Sequence, residues 1–377
     1  MNAIFICGIF MSFFIALLLL TKKNKALTDK ILAIWVILIG LHLLNYYLNQ
    51  LGYWETYPHL VGITAPFPLL HGPFLFLYTL YSLRQDSSLR KIDYLHFIPA
   101  LLSYLYMFNF FFFYSAEEKA MVDAGKVTDF EFFTSLLLVS FILSGLSYPI
   151  LSYRLTRLHQ RKINANFSYD EGINLTWLMH CILAIAAIFI SATIIVISRE
   201  GMSISFSFNA DYIFYSLIIL FIFYLGYFGI RHQDMFTHNS QTVSAGPLEA
   251  KYKKSGLKQD ALQELHQKLV QHMANEKPYL DPKLTLSGLA HLFSVSPNQL
   301  SQVINQQENV NFHDFVNKYR VEEFLALAAK PSNFSLLGNA LDSGFNSKSS
   351  FNSIFKKQKG MTPSQYLASH TLKTVKV

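Results

Sequence analysis

The chain has 377 residues, of which 52% are hydrophobic and 15% are charged, and its mean hydropathy is +0.28. Soluble domains carry about 25% charged residues, so this composition excludes an ordinary soluble protein. The charge is uneven, because residues 230–377 hold 17 Lys and Arg against 11 Asp and Glu. Cys7 and Cys181 lie in separate apolar runs and indicate neither a disulfide framework nor a metal site.

Seven apolar segments in the first 230 residues predict membrane-spanning helices, since each is long enough to cross about 30 Å of hydrocarbon. The first, residues 2–20, lacks a basic leader and a cleavage site, so it predicts a retained anchor and not a signal peptide. The other six are predicted at about residues 30–50, 60–83, 92–114, 130–153, 173–198 and 210–230.

The basic residues between these segments predict their orientation, because loops rich in Lys and Arg stay in the cytoplasm. The odd-numbered loops hold eleven such residues and the even-numbered loops hold three, Lys119, Lys126 and Arg199. The N-terminus is therefore predicted outside the membrane and Arg231 in the cytoplasm. The outer loops are too short to fold as a sensor domain. A signal would therefore be sensed by the spans, by these loops or by a partner protein.

Polar residues inside the predicted spans are candidate sensor groups, because each is costly in lipid. The histidines permit two interpretations, a metal or proton sensor and simple interhelical hydrogen bonding. Pro66, Pro68 and Pro73 predict either a packing kink or a ligand pocket in the third segment. We find no catalytic motif and predict no enzyme, no cofactor and no metal. The polar residues are His42, Asn45, His71, His96, Asn109 and His180.

Residues 231–257 are rich in Ser, Thr and Asn and predict a linker with a reach of roughly 30 Å. Its lysines would meet DNA phosphates or anionic lipid headgroups. Residues 258–275 predict an amphipathic helix, which would pack on the following domain or form a dimer interface.

Residues 285–366 contain two copies of a helix-turn-helix pattern. In the first copy, Thr285 is a predicted N-cap, and Ser296 with Gln299 forms a capping box before a second helix. In the second copy, Ser335 corresponds to Thr285 and Asn346 corresponds to Ser296. An amphipathic helix from about residue 312 to 328 would fix the spacing of the two copies.

The second helix of each copy has one apolar stripe and one polar face. Leu300, Val303 and Ile304 are predicted to be buried in the first copy. Phe351, Ile354 and Phe355 are the corresponding residues of the second. Asn and Gln can read adenine in the major groove, and Lys can bind phosphate. The predicted outward, DNA-binding residues are Asn298, Gln299, Ser301, Gln302, Asn305, Lys348, Ser350, Asn352, Ser353, Lys356 and Lys357.

Three runs carry a family resemblance: Gly-Phe-Asn-Ser-Lys-Ser-Ser-Phe from Gly344, Phe-Lys-Lys from Phe355, and Gly-Met-Thr-Pro-Ser-Gln-Tyr from Gly360. Residues 258–370 thereby resemble the DNA-binding domain of the AraC/XylS family of bacterial transcription regulators. The resemblance implies that helices 297–306 and 347–358 enter successive major grooves about 34 Å apart. Gly338-Asn339 departs from the family pattern and predicts a loose first helix in the second copy.

The predicted fold is all-α, with a seven-helix membrane region at residues 1–230, the linker at 231–257, an AraC-type double helix-turn-helix domain at 258–370 and a tail at 371–377. The predicted function is a membrane-anchored, sequence-specific DNA-binding transcription regulator that acts as a one-component sensor in the cytoplasmic membrane. The alternatives are a transporter or a membrane scaffold with a regulatory cytoplasmic tail. The predicted partners are double-stranded DNA and the lipid bilayer, with RNA polymerase and a second copy of the chain as further candidates.

Overall fold

The computed structural model describes residues 2–84, 88–127, 129–168, 176–231, 259–330 and 335–374. Nearly all of the predicted linker and the last residues of the tail lie outside these ranges. The described part of the chain is helical, and its β structure is limited to one isolated bridge between Phe167 and Thr285. The chain divides into two compact units. The first unit comprises residues 1–157 and 175–238, and the second unit comprises residues 158–174 and 239–377.

Ten α-helices form the described part of the first unit, and the eighth continues into the second unit. They are α1 (Asn2–Thr21), α2 (Leu27–Gln50), α3 (Tyr53–Thr56), α4 (Pro68–Leu83), α5 (Ile98–Tyr106), α6 (Phe108–Phe113), α7 (Ala116–Asp123), α8 (Glu131–Asn166), α9 (Thr176–Val196) and α10 (Asp211–Arg231). The core contains Trp35 and Leu43 of α2, Leu75 of α4 and Ile222 of α10.

Five helices among the described residues are long and apolar enough to cross a membrane by length and composition: α1, α2, α8, α9 with its π-helical extension, and α10. The predicted third and fourth segments are not single helices. Residues 61–67 form turns, and the 16-residue α4 begins only at Pro68, because proline cannot donate a backbone hydrogen bond and suits a helix start. Residues 92–114 divide into a 3₁₀ turn, α5 and α6.

Most of the polar residues that the sequence singles out in the spans make hydrogen bonds between segments. Asn45 donates to Thr64 Oγ1 at 2.9 Å. The His96 ring lies 3.1 Å from the Tyr148 hydroxyl, and the His180 ring lies 3.1 Å from the Tyr224 hydroxyl. His42 and His71 pair with each other, whereas Asn109 is exposed. Among the described residues, no group of three or more His, Cys, Asp and Glu side chains is placed to hold a metal ion.

Seven helices follow in the second unit: α11 (Gln259–Asn275), α12 (Leu286–Leu292), α13 (Pro297–Glu308), α14 (Phe312–Ala328), α15 (Leu336–Asp342), α16 (Lys348–Lys359) and α17 (Pro363–Thr374). Helices α12 and α13 form the first copy of the helix-turn-helix, and α15 and α16 form the second. Helix α14 contributes Phe315 to the core of the first copy and Phe324 to the core of the second, as expected of a spacer helix.

The two copies share the geometry of their turns. Val295 N donates to Ala290 O at 3.2 Å in the first copy, and Phe345 N donates to Ala340 O at 3.2 Å in the second. The residue before each donor has a positive φ, +53° at Ser294 and +92° at Gly344. The turn correspondence predicted from the sequence is therefore present in the backbone.

Gly338 and Asn339 lie in a regular helix, α15, whose N-cap Ser335 accepts a hydrogen bond from Gly338 N at 3.1 Å. The side chain of Asn339 is buried. The predicted looseness of this helix stays a prediction.

We expect Gly344→Ala to destabilise the second copy more than Gly360→Ala does. A Cβ at Gly344 would overlap the Tyr279 carbonyl oxygen, whereas Gly360 also has a positive φ, +76°, but open space around its Cβ position. Both variants lose about 1–2 kcal/mol to left-handed backbone strain, and only Gly344→Ala adds the steric overlap. Pulse proteolysis of the detergent-solubilised chain across a urea series measures both changes; equal midpoints would contradict a special role for Gly344.

Candidate nucleic-acid interface

The start of α13 is fixed by a reciprocal cap. Ser296 Oγ accepts from Gln299 N at 3.3 Å, and Gln299 Oε1 accepts from Ser296 N at 2.9 Å and from Ser296 Oγ at 3.0 Å. This is the capping box that the sequence predicts. The Gln299 oxygen is therefore used to position the helix and is not available to a base edge in this conformation. Asn298, one residue earlier, is exposed.

Two residues predicted to point outward on α13 are buried: Ser301 is 6% exposed and Gln302 is 8% exposed. Ser301 Oγ accepts from Asn305 Nδ2 at 3.3 Å, and Gln302 Nε2 lies 3.5 Å from Gln306 Oε1. Because α13 contacts α11, α12 and α14, more of its circumference is covered than its apolar stripe indicates. The expectation that Ser301 and Gln302 face outward is wrong, while Asn305 is half-buried.

Helix α16 presents most of its predicted residues to the surface. Its N-cap is Ser347, one residue later than the repeat alignment predicts, and Ser347 Oγ accepts from Ser350 N at 3.3 Å. Ser350 is consequently in the first turn and buried, which corrects its predicted outward placement. The exposed residues are Lys348, Asn352, Ser353, Lys356 and Lys357.

Lys357 joins the second copy to the start of α14. Its Nζ lies 2.7 Å from Asp314 Oδ1 and 3.0 Å from Oδ2. Hydrogen bonds from His313 and Lys357 lower the pKa of Asp314 to about 2, so this carboxylate stays charged at neutral pH. The ion pair constrains Lys357, whereas Lys356 extends from the same turn without a carboxylate contact among the described residues.

A buried arginine of α14 contacts Ser168 and the segment that precedes the first copy. Arg320 of α14 is 1% exposed, and its guanidinium donates to the backbone oxygens of Tyr279 at 2.8 Å, Asp281 at 2.7 Å and Ser168 at 2.7 Å. It also donates to Ser168 Oγ at 3.1 Å and to Asn317 Oδ1 at 3.2 Å. Burial lowers the pKa of Arg320 to about 10, so it remains protonated at neutral pH.

Ser168 also makes hydrogen bonds to two other residues, Leu284 and Asn317. Its N and Oγ both donate to Leu284 O, at 3.3 Å and 2.7 Å, and its carbonyl accepts from Asn317 Nδ2 at 3.1 Å. Ser168 follows the C-terminal end of α8 and lies in sequence between two candidate spans, more than 100 residues before Leu284. Sequence reasoning missed this contact, because neither the Ser nor the Arg carries a local signal of a partner so far along the chain.

Residues 289–369 match a family model described as a helix-turn-helix domain. The match includes every predicted DNA-binding residue and most of both copies. It supports an AraC-type domain and hence a DNA-binding transcription regulator whose partner is double-stranded DNA. Domains of this kind are generally not catalytic. No curated protein and no solved structure matches the chain.

We expect Lys356→Ala to weaken binding to a random-sequence duplex and to flatten its salt dependence. Loss of one phosphate contact changes the slope of log K against log salt by about 0.9. Lys268→Ala is the control, because Lys268 is exposed on α11 and pairs with Glu264 on the same helix. Fluorescence anisotropy of the purified full chain at several salt concentrations measures the slopes; the same slope for Lys356→Ala and the unmodified chain would remove Lys356 from the interface.

Proposed function

We propose that the chain is a one-component sensor, in which a membrane-embedded helical region controls a cytoplasmic AraC-type domain that regulates transcription. The observation that carries this proposal is the union, in one polypeptide, of five apolar span-length helices with a duplicated helix-turn-helix unit. A DNA-binding domain acts only where the chromosome is, so the second unit must lie on the cytoplasmic side of the membrane.

The distribution of basic residues supports this sidedness for either number of spans, but less strongly for five. With seven spans eleven Lys and Arg lie on the inner side and three on the outer side, whereas with five spans Arg84, Arg90 and Lys91 move to the outer side and the count becomes eight against six. Removing both the third and the fourth predicted segments changes the number of crossings by two. The sides of α8, α9 and α10 are therefore the same for five spans as for seven. In either case the loop that follows α8, which is preceded by Arg154, Arg157, Arg161 and Lys162, is cytoplasmic.

We divide the proposed DNA-binding residues into two groups, and the exposure of their side chains supports the division. Asn298 is exposed in the first turn of α13, Asn352 and Ser353 are exposed in the middle of α16, and these three are the proposed readers of base edges. Lys348 and Lys356 are the proposed phosphate contacts. The remaining members of the predicted set position the helices: Gln299 through the cap, Lys357 through Asp314, and Ser301, Gln302, Asn305 and Ser350 within the buried and half-buried faces.

The proposed route of the signal is the segment that ends at Ser168. Helix α8 is continuous from Glu131 to Asn166, and its last residues belong to the same compact unit as the DNA-binding helices. Arg320 and Asn317 then hold Ser168 by backbone and side-chain hydrogen bonds. Since Arg320 lies on the spacer helix between the two copies, release or capture of Ser168 would act on the element that sets their spacing.

The predicted sidedness is tested with single cysteines in a Cys7→Ser, Cys181→Ala background. Glu117→Cys and Arg157→Cys both replace exposed side chains, on α7 and α8 respectively. We expect a membrane-impermeant maleimide to label Glu117→Cys in cells whose cytoplasmic membrane is intact, and to label Arg157→Cys only after lysis. Labelling of Arg157→Cys before lysis would reject a cytoplasmic DNA-binding domain.

The coupling role of Ser168 predicts a change in DNA occupancy in Ser168→Ala. This change leaves the Arg320 Nη2 and the Leu284 carbonyl each short of one buried hydrogen bond, at a cost of about 1–3 kcal/mol to the docked state. Ser152→Ala is the matched control. Ser152 lies in α8 and is buried like Ser168, but its Oγ makes no hydrogen bond. Genome-wide chromatin immunoprecipitation, normalised to the amount of chain in the membrane fraction, should change for Ser168→Ala and not for Ser152→Ala; equal profiles would reject the route.

A further inference from the structure

The first unit contains a cavity of about 380 Å³ between α2, α4, α8, α9 and α10. Its volume falls within the range of about 300–1,000 Å³ that is typical of small-molecule sites. Most of the lining is apolar and includes Leu137, Ile185 and Phe189. His42, His71 and Tyr215 supply polar atoms, and Arg199 and Asp211 also border the cavity. The chemistry of this site follows from how these polar groups are connected.

Four side chains form a hydrogen-bonded series that ends at the cavity. Trp35 Nε1 donates to His71 Nδ1 at 3.2 Å. His71 Nε2 lies 3.3 Å from His42 Nδ1, and the two rings stack with their centroids 5.6 Å apart. His42 Nε2 lies 3.4 Å from the Tyr215 hydroxyl. The series crosses from α2 to α4, returns to α2 and ends on α10.

The direction of this series is fixed by its first member. An indole N–H can only donate, so His71 Nδ1 must accept and the ring proton of neutral His71 must be on Nε2. That proton is donated to His42 Nδ1, which places the proton of neutral His42 on its Nε2. His42 therefore donates to the Tyr215 oxygen, and Tyr215 must direct its own hydroxyl proton elsewhere.

Tyr215 is 7% exposed and is held by a close stack against Tyr46, with the ring centroids 3.7 Å apart. His42 Nε2 is a donor in this arrangement, and among the described residues no other acceptor lies within hydrogen-bond distance of the Tyr215 hydroxyl. A buried donor without an acceptor is unfavourable, and an acceptor supplied by a ligand removes that cost. The cavity is thus built to receive an oxygen that accepts one hydrogen bond.

The lining also defines the charge of the ligand. Both histidines are neutral in the only proton arrangement that satisfies the series, and Arg199 Nη1 already lies 3.4 Å from Asp211 Oδ1. The lining therefore offers balanced charge to an occupant, which disfavours an ion in an apolar cavity. We propose that this cavity binds a small, uncharged, largely apolar molecule whose carbonyl oxygen accepts the hydrogen bond of Tyr215.

This inference deepens the proposed sensor function and rests on that function only for the role of the ligand as a signal. The binding itself is tested without DNA, so failure of the test would leave the DNA-binding proposal standing. The probe is tritiated methyl decanoate, a neutral ester, and the full chain is reconstituted in phospholipid nanodiscs. Empty nanodiscs correct for partition of the ester into lipid.

We expect saturable binding of one ester per chain, weakened roughly three- to tenfold by Tyr215→Phe, which is the effect of one lost hydrogen bond. Tyr224→Phe is the matched control, because Tyr224 is also on α10 and also pairs with a histidine, His180, but does not line the cavity. We expect it to bind like the unmodified chain. Decane, which has no acceptor, should bind equally to the unmodified chain and to Tyr215→Phe.

Ala192→Leu, which adds bulk to the lining, should abolish binding of both probes. Unchanged ester affinity in Tyr215→Phe would overturn the proposal, and so would an equal loss for ester and decane, because that result would make the hydroxyl merely structural. Native mass spectrometry supplies a last test. A phospholipid retained by the unmodified chain and displaced in Ala192→Leu would assign the cavity to a lipid chain and would also overturn the proposal.

Discussion

The second unit depends on one buried guanidinium. An arginine removed from water loses several kcal/mol of hydration, and Arg320 recovers it only through oxygen acceptors that surround it. Those acceptors are Asn317 Oδ1 on the same helix, the backbone carbonyls of Tyr279 and Asp281, which precede the first copy, and the carbonyl and hydroxyl of Ser168. Two segments far apart in the sequence, residues 279–281 and Ser168, are therefore held to one residue of the spacer helix, and loss of either leaves a buried charge less well solvated.

The same interaction reaches the second copy through its turn. A Cβ on Gly344 would overlap the Tyr279 carbonyl oxygen and would lie 3.1 Å from Arg320 Nε. The glycine is required there twice, because its φ is +92° and because the backbone that Arg320 holds leaves no room for a side chain. The Ser294 turn of the first copy has a φ of +53°, inside the left-handed region that non-glycine residues can visit, and there a serine is tolerated. Both the larger φ and the close packing at Gly344 therefore distinguish the second copy from the first.

The sequence predicts what local chemistry determines. Thr285, Ser296 and Ser335 act as N-caps in the structure as predicted, because a capping side chain acts on backbone within three residues of itself. Leu300, Phe351 and Phe355 are buried as their spacing predicts. The outward face was less predictable, since periodicity finds an apolar stripe but does not reveal which helices cover the rest of α13. The ion pair of Lys357 with Asp314 could not be predicted from the sequence either, because 43 residues separate the two partners.

Hydropathy likewise finds the apolar segments of the chain, but it does not show whether each segment forms one continuous helix. A sliding average over residues 60–83 and 92–114 finds enough apolar side chains for two spans, but it does not register that Pro66, Pro68 and Pro99 each remove a backbone donor. These prolines divide the chain into short helices and turns, and Pro68 sets the start of α4. His71 follows within one turn of that start, where it reaches both Trp35 and His42. The break in the third segment is thus what positions the histidine of the hydrogen-bonded series.

Helix α8 contributes its first residues to the first unit and its last residues to the second unit. Its 36 residues extend about 54 Å at 1.5 Å per residue. The interior Pro149 removes one of its backbone hydrogen bonds and leaves the rest of the helix intact. A flexible chain of similar length transmits only a mean tension, whereas a helix transmits displacement and rotation of its end. Because Arg320 and Leu284 bind Ser168 through directional contacts of 2.7–3.3 Å, a displacement of that size at the end of α8 suffices to break them.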